Sequence, residues 1–264
     1  MHKPALFFGL AFNIAVFSIA PNYLPAQTPA TPPPAPARPA HLLFEDTIIR
    51  SGSAAQFEPA HHDYCVAVVK GGAPACLVFS TATFGESNRY FTLLPFASFL
   101  HYDQGKYTDK GLTPDEAKAL AARRNPPVVS NHEAAFILLR DLSFFANNEA
   151  KPLNMFFEYR VRPGSMDAFM KSIRELIAPA AKKSGLPSFE VFQTATGASP
   201  DLILLVYRLD NFAQLDNPDP VIAQLTPAQA ETWKHTLATT VDHVDSFIMR
   251  YRPDLSVPSA APPK

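Results

Sequence analysis

The sequence predicts an α+β fold. Two tandem ferredoxin-like βαββαβ units pair their sheets into an intrachain α/β barrel. Residues 44–143 and 157–256 match each other at a nearly fixed offset of 113. Each copy alternates strand-type and helix-type periodicity in the order β-α-β-β-α-β. Such a unit covers one face of its sheet with helices and leaves the other bare, so two units on one chain can bury their bare faces together.

The repeat rests on separate matches. Phe44-Glu45 recurs as Phe157-Glu158, and Phe79-x-Thr81-Ala82-Thr83 as Phe192-x-Thr194-Ala195-Thr196. Phe99 recurs as Phe212, and Leu112-Thr113-Pro114 as Leu225-Thr226-Pro227. Asp141-Leu142-Ser143 recurs as Asp254-Leu255-Ser256. One stretch slips: Arg50-x-Gly52-Ser53 and Phe57 match Arg162-x-Gly164-Ser165 and Phe169 at an offset of 112.

In the first copy, Leu42–Arg50 reads as a strand, and Pro59 breaks the start of the helix that follows. Pro126-Pro127 interrupts the second helix. Ser130 and Glu133 form a candidate capping box, so Ala134–Leu139 reads as helix or strand; the repeat favours strand. In the second copy, Met155–Arg162 alternates with period two, as a half-buried strand does. Ser165 can cap a helix whose stripe is Met166, Phe169, Met170, Ile173, Leu176 and Ile177, ended by Pro179 and Gly185. Phe189–Thr196 and Leu202–Leu209 are strands. Thr226-Pro227 opens a helix with Ala230, Trp233, Leu237, Val241 and Val244 inward. Phe247–Arg252 closes the unit.

The ends read differently. Lys3, the apolar run Ala5–Ala20 and Leu24-Pro25-Ala26 suggest a signal peptide over residues 1–26. That run is about 16 residues, short of the ~20 that span a bilayer. Residues 27–40 read as a Pro-rich tether and 257–264 as a disordered tail, flanking repeats at 41–146 and 152–256. The expected location is the bacterial periplasm or the medium. A net charge of −1 leaves no basic excess to neutralise phosphates, so nucleic acid is not an expected partner. Nor is a membrane, once the signal is cleaved. Monomer and homodimer both remain open. Cys65 and Cys76 are the only cysteines. Export suggests a disulfide; two buried thiols are the alternative.

Phe157-Glu158-Tyr159-Arg160-x-Arg162-Pro163-Gly164-Ser165-x-x-x-Phe169 resembles the opening of NIPSNAP-type domains in the dimeric α/β barrel superfamily. The first copy carries Ser51 in place of Pro163. The resemblance implies the barrel. It does not imply one chemistry, because that superfamily includes antibiotic-biosynthesis-type monooxygenases, haem-degrading enzymes, isomerases and peroxidases without a shared catalytic residue.

Candidate site residues follow from strand alternation. Glu45 and Glu158 read as equivalent lumen-facing carboxylates, either base or ligand anchor, or ion pairs with Arg160 or Arg208. Tyr207, Arg208, Arg89 and Tyr90 read as pocket lining. Glu58 and His61 replace Met170 and Ile173 of the second copy; with His62 they are weak metal-ligand candidates. No cofactor is predicted. Haem stays open through His132 or His243, which read as lying near the ends of the second helices. There is no GxSxG, P-loop, GxGxxG or HExxH motif. Three functions compete: a ligand-binding barrel with no assigned chemistry, a cofactor-independent monooxygenase or isomerase, and an envelope interaction module. A lumen lined by Glu158 and Arg208 would serve the first two, and a lumen filled by Phe and Leu the third.

Overall fold

The computed structural model describes residues 40–146, 150–216 and 219–258. The expected signal peptide, the tether up to its last residue, part of the inter-repeat linker and nearly all of the tail lie outside the described residues.

The first repeat runs β1 (His41–Ile49), α1 (Ala54–Lys70), β2 (Leu77–Thr81), β3 (Arg89–Phe96), α2 (Leu100–Asp103), α3 (Tyr107–Gly111), α4 (Pro114–Arg124) and β4 (Val128–Leu138). A short β5 (Phe144–Phe145) follows. The second runs β6 (Leu153–Val161), α5 (Met166–Ser172), a π-helical turn (Ile173–Ile177), α6 (Ala178–Lys183), β7 (Ser188–Thr196), β8 (Leu202–Leu209), two 3₁₀ turns, α7 (Pro227–Thr240) and β9 (Val241–Tyr251). Each repeat orders its strands alike, β4-β1-β3-β2 and β9-β6-β8-β7. Antiparallel seams β2–β9 and β4–β7 join them into a closed eight-stranded barrel.

Local chemistry explains the helix starts. Thr113 and Thr226 each cap a helix with Pro at its start, and each exchanges hydrogen bonds with the residue three ahead, Glu116 or Gln229. The prolines act differently from expectation. Helix α1 runs through Pro59, because burial of Phe57, Ala60 and His61 outweighs one missing N–H. Pro179 does not end its helix either. The π-helical turn just before it takes up the register change, and the helix continues to Lys183. Pro126-Pro127 does end α4. Residues 134–138 are strand, and β4 begins earlier than expected, at Val128. Likewise Val241 and Val244 belong to β9 rather than to the preceding helix.

The barrel interior is packed with aromatic rings. Phe44, Phe79, Phe91, Phe136, Phe156, Phe192 and Phe247 meet there with Leu204, Val206 and Met249. The Phe91 ring lies 4.4 Å from Phe44, 5.4 Å from Phe156 and 5.3 Å from Phe247, centroid to centroid. The lumen is therefore a core rather than the ligand chamber expected.

The Asp-Leu-Ser motifs are reciprocal straps. After β4, Leu142 buries itself in the second repeat's core and Ser143 Oγ accepts from Val191 N–H at 2.9 Å. After β9, Leu255 enters the first repeat's core and Ser256 Oγ accepts from Val78 N–H at 2.8 Å. Arg252, at the base of this second strap, forks onto Glu58 at 2.6 and 3.0 Å. Arg252 holds the Glu58 carboxyl below its ordinary 4.5, against a smaller upward push from burial. A carboxyl depressed in the folded state stabilises above its unfolded pKa, and loses that contribution as pH falls through the folded value. Stability is thus expected to drop below about pH 4.5, and Glu58→Gln to flatten that part of a pH–melting curve.

Cys65 and Cys76 are bridged. The bridge ties α1 to the residue whose backbone pairs with Val257 at the end of the strap. Closing an 11-residue separation is worth about 3 kcal/mol by loop entropy. The pair Cys65→Ser and Cys76→Ser should lower the urea midpoint accordingly, with any change in m-value an increase, because the denatured chain loses its cross-link.

Candidate functional site

The two repeats bury the same elements with different chemistry. The β-bulges that end β1 and β6 place Ile49 opposite Val128 and Val161 opposite Val241. Residues 41–49 therefore correspond to 153–161, one residue out of step with the Phe-Glu dipeptide match. This overturns the expected equivalence of Glu45 and Glu158. A slip of one residue moves a strand's side chains to the opposite face. Phe44 lies in the lumen with Phe156, and Glu45 corresponds to Phe157 on the helix-facing side. Asp46 is the counterpart of Glu158.

In the second repeat the space between sheet and helices is an apolar core, with Phe157, Ile173, Leu205 and Leu237 all packed into it. The first repeat has Glu45, His61, Thr92 and Arg124 at those positions. The strand registers agree: Glu45 pairs with Thr92 as Phe157 pairs with Leu205. These substitutions form one connected network. Arg124 Nη2 donates to Glu45 Oε1 and Arg124 Nε to His61 Nδ1, the latter at 3.0 Å. His61 Nε2 meets Thr92 Oγ1 at 2.8 Å. Because Nδ1 accepts, the imidazole proton sits on Nε2 and is donated to Thr92. Burial, then the Arg124 charge and His62, holds His61 well below the usual histidine range, so the ring is neutral. Arg124 also lies over the Tyr64 ring at 4.2 Å. Glu45 is 1% exposed and His61 fully buried, so Arg124 is what keeps a buried carboxylate ionically satisfied.

Beside this network lies a cavity of about 350 Å³. Arg124, Tyr64 and Glu133 line it with Leu43, Leu94 and Leu120, and Tyr102, Lys106 and Tyr107 reach it from the α2–α3 segment. That segment is held against α1 by paired glycines. A Cβ on Gly111 would fall 2.0 Å from the Ala67 carbonyl oxygen, and one on Gly71 1.9 Å from that of Tyr107. Only glycine permits this approach. The Tyr102 hydroxyl is buried and, among the described residues, has no hydrogen-bond partner. Burial, then Tyr107, pushes it up to about 12, so it is a protonated donor at neutral pH.

The other candidates do not gather here. Glu158 is on the lumen side at one rim, opposite Asp245 on β9; burial raises its carboxyl, and Arg89 works against that. Arg89 forks onto Asp46 at 2.9 and 2.7 Å and stacks on Phe91 and Phe247. Arg160 is exposed at the end of β6. Arg208 donates to Glu190 at 2.9 Å rather than to Glu158. Tyr207 is buried in the second repeat's core and donates to Asp219. Tyr90 donates to Glu58 at 2.8 Å, so Glu58 and His61 engage different partners. His62 Nδ1 is buried and, among the described residues, has no hydrogen-bond partner. Among the described residues no group of three or more His, Cys, Asp or Glu is gathered that could hold a metal. His132 and His243 lie on strands β4 and β9, His243 three residues past the end of α7, and His243 pairs with Asp245 at 3.0 Å. Among the described residues no histidine lines the first-repeat cavity, and both ring nitrogens of His61 are engaged. No helix of the described residues is long and apolar enough to cross a membrane.

Sequence reasoning noticed His61 but missed Thr92 and Arg124. The signal was available: Arg124 stands where the second copy has Leu237, and Thr92 where it has Leu205.

No family model and no curated protein matches the chain. Solved structures do. A putative monooxygenase from Lactobacillus acidophilus NCFM is 8% identical, with 83% of this chain and 97% of that one covered at a TM-score of 0.55. An anthrone oxidase-like protein is 10% identical, covers 81% and 92%, and scores 0.53. A NIPSNAP family protein from Agrobacterium tumefaciens is 17% identical and covers 40% of this chain and 91% of its own, at 0.32. The fold of this chain is thus the α/β barrel of monooxygenase-like structures, as its opening motif suggested, with both ferredoxin-like units supplied by one polypeptide.

Proposed function

We propose that the protein binds a small, partly apolar molecule in the cavity of its first repeat, while the second repeat serves as its structural partner. One observation carries this reading: four positions that are plain core in one copy form a single polar network in the other, and that network fixes Arg124 in the wall of a cavity. A core position gains no stability from buried charge, so such a replacement points to work other than folding. The filled lumen taken alone favours an interaction module. The cavity on the other face of the sheet restores the ligand reading in a different place.

The likeness to a putative monooxygenase and an anthrone oxidase-like protein suggests oxygenation as a second reading. The groups expected to serve it are dispersed. Glu158 lies at the lumen rim, Glu45 is held by Arg124, and Tyr207 and Arg208 belong to other pairs. We therefore assign binding and no reaction. The Cys65–Cys76 bridge supports the proposed export to an oxidising compartment, which fractionation of the host cells tests.

Filling the cavity tests the assignment. Leu94→Trp should abolish capture of small aromatic probes with little change in fold by circular dichroism. Unchanged capture would place binding elsewhere.

A further inference from the structure

Two polar groups that the cavity wall leaves accessible limit what can occupy it. A guanidinium is planar, with five N–H donors arranged in forked edges. On Arg124 the Nε–Nη2 edge is engaged by His61 and Glu45, and the Nη1 edge points away from that buried pair. Nη1 has no hydrogen-bond partner among the described residues, yet unlike the Tyr102 hydroxyl it is not enclosed by protein. The Arg124 side chain keeps 13% of its surface and lines the cavity. The second group is the Tyr64 hydroxyl, on the ring over which that guanidinium lies. It too has no partner among the described residues and is not enclosed. Glu133 and Tyr102, both lining the cavity, act on it electrostatically, which puts it on the cavity side of its ring. Burial, then Glu45, holds it well above the usual tyrosine range against the pull of Arg124, so it is a donor at neutral pH. His61 has both nitrogens engaged and acts as a positioning residue for Arg124. Lys106 and Glu133 are exposed and of opposite charge. The wall of Leu43, Leu94 and Leu120 is apolar. A volume of about 350 Å³ lies at the small end of ligand pockets, which run from ~300 to 1,000 Å³.

Resting on the binding assignment above, we infer that the ligand is a compact monocarboxylate. Its carboxylate accepts from the free edge of Arg124 and from the Tyr64 hydroxyl, and its apolar body lies against Leu43, Leu94 and Leu120. Arg124 can only donate, and a carboxylate can only accept, through two oxygens spaced for a forked edge. An amide or alcohol would bring N–H or O–H groups that Arg124 cannot receive. Glu45 already faces the other edge of the guanidinium, and Lys106 and Glu133 offset each other. Selection therefore rests on charge-assisted hydrogen bonds in a fixed geometry, not on a net positive cavity.

Matched probes test this. Calorimetric titration would compare 1-naphthoate with 1-naphthamide, a neutral relative of the same shape. The wild type should bind 1-naphthoate about tenfold more tightly, the difference between a charge-assisted and a neutral hydrogen bond. Arg124→Lys keeps a counter-charge for Glu45 but has no second edge, and should erase that preference. Tyr64→Phe removes only the hydroxyl and should weaken 1-naphthoate about tenfold. Equal or tighter binding of 1-naphthamide to the wild type would overturn the ligand class while leaving the cavity assignment standing. So would a preference that survives in an Arg124→Lys protein melting as the wild type does. Should Arg124→Lys fail to fold, Tyr64→Phe decides: undiminished 1-naphthoate binding overturns the class. Failure of both probes to bind, or binding that Leu94→Trp does not affect, would overturn the cavity assignment and the class together.

Discussion

Replacing Arg124 by methionine is expected to destabilise the protein by about 3–5 kcal/mol, because it strands the Glu45 carboxylate with no counter-charge. Glu45 is 1% exposed, and among the described residues its second oxygen has no hydrogen-bond partner, so Arg124 is its one counter-charge there. The combined variant Glu45→Phe, His61→Ile, Thr92→Leu and Arg124→Leu should behave oppositely. It gives the first repeat the apolar solution of the second, and replacing a buried ion pair by packed hydrophobic groups is often neutral or stabilising by about 1–4 kcal/mol. We expect it to be at least as stable as the wild type and unable to bind ligand. Urea melts of the two variants check this. A harmless Arg124→Met would show that Arg124 does not compensate Glu45, and a quadruple variant that does not fold would show that the network is structural.

The second large effect concerns the lumen. Phe156 is 1% exposed and its ring meets Phe44, Phe79, Phe91 and Phe247. Phe156→Ala should cost about 3–5 kcal/mol through lost burial and the cavity left behind. Ligand capture by the folded fraction should persist, because the binding cavity lies on the other face of the sheet. A loss below about 1 kcal/mol would mean that the barrel interior is not the packed core described.

The architecture was legible because it is written twice. The paired Thr-Pro helix starts and the Asp-Leu-Ser straps appear as matches before any coordinates do. The site was harder to read for a definite reason. The dipeptide Phe-Glu occurs in both first strands but sits one residue apart in the fold, so aligning it sent Glu45 to the wrong face. The offset of 112 through Gly52 and Phe57, extended back along the strand, gives the true register. The filling of the lumen could not be read at all, since β8 is apolar on both faces and alternation there does not distinguish core from chamber. The network needed four elements at once, β1, α1, β3 and α4, and only the His61 position stood out against its apolar counterpart in one copy. Pro59 and Pro179 misled because tertiary packing and a π-helical turn absorb what proline breaks in isolation.

The most direct measurement is amide chemical-shift mapping by NMR as 1-naphthoate is titrated into the protein. The account predicts perturbations at Leu43, Leu94, Tyr102 and Leu120, around the first repeat's helix–sheet cavity. Shifts confined to Phe44, Phe91 and Phe247 in the lumen, or to Tyr159 and Trp233 in the second repeat, would contradict it.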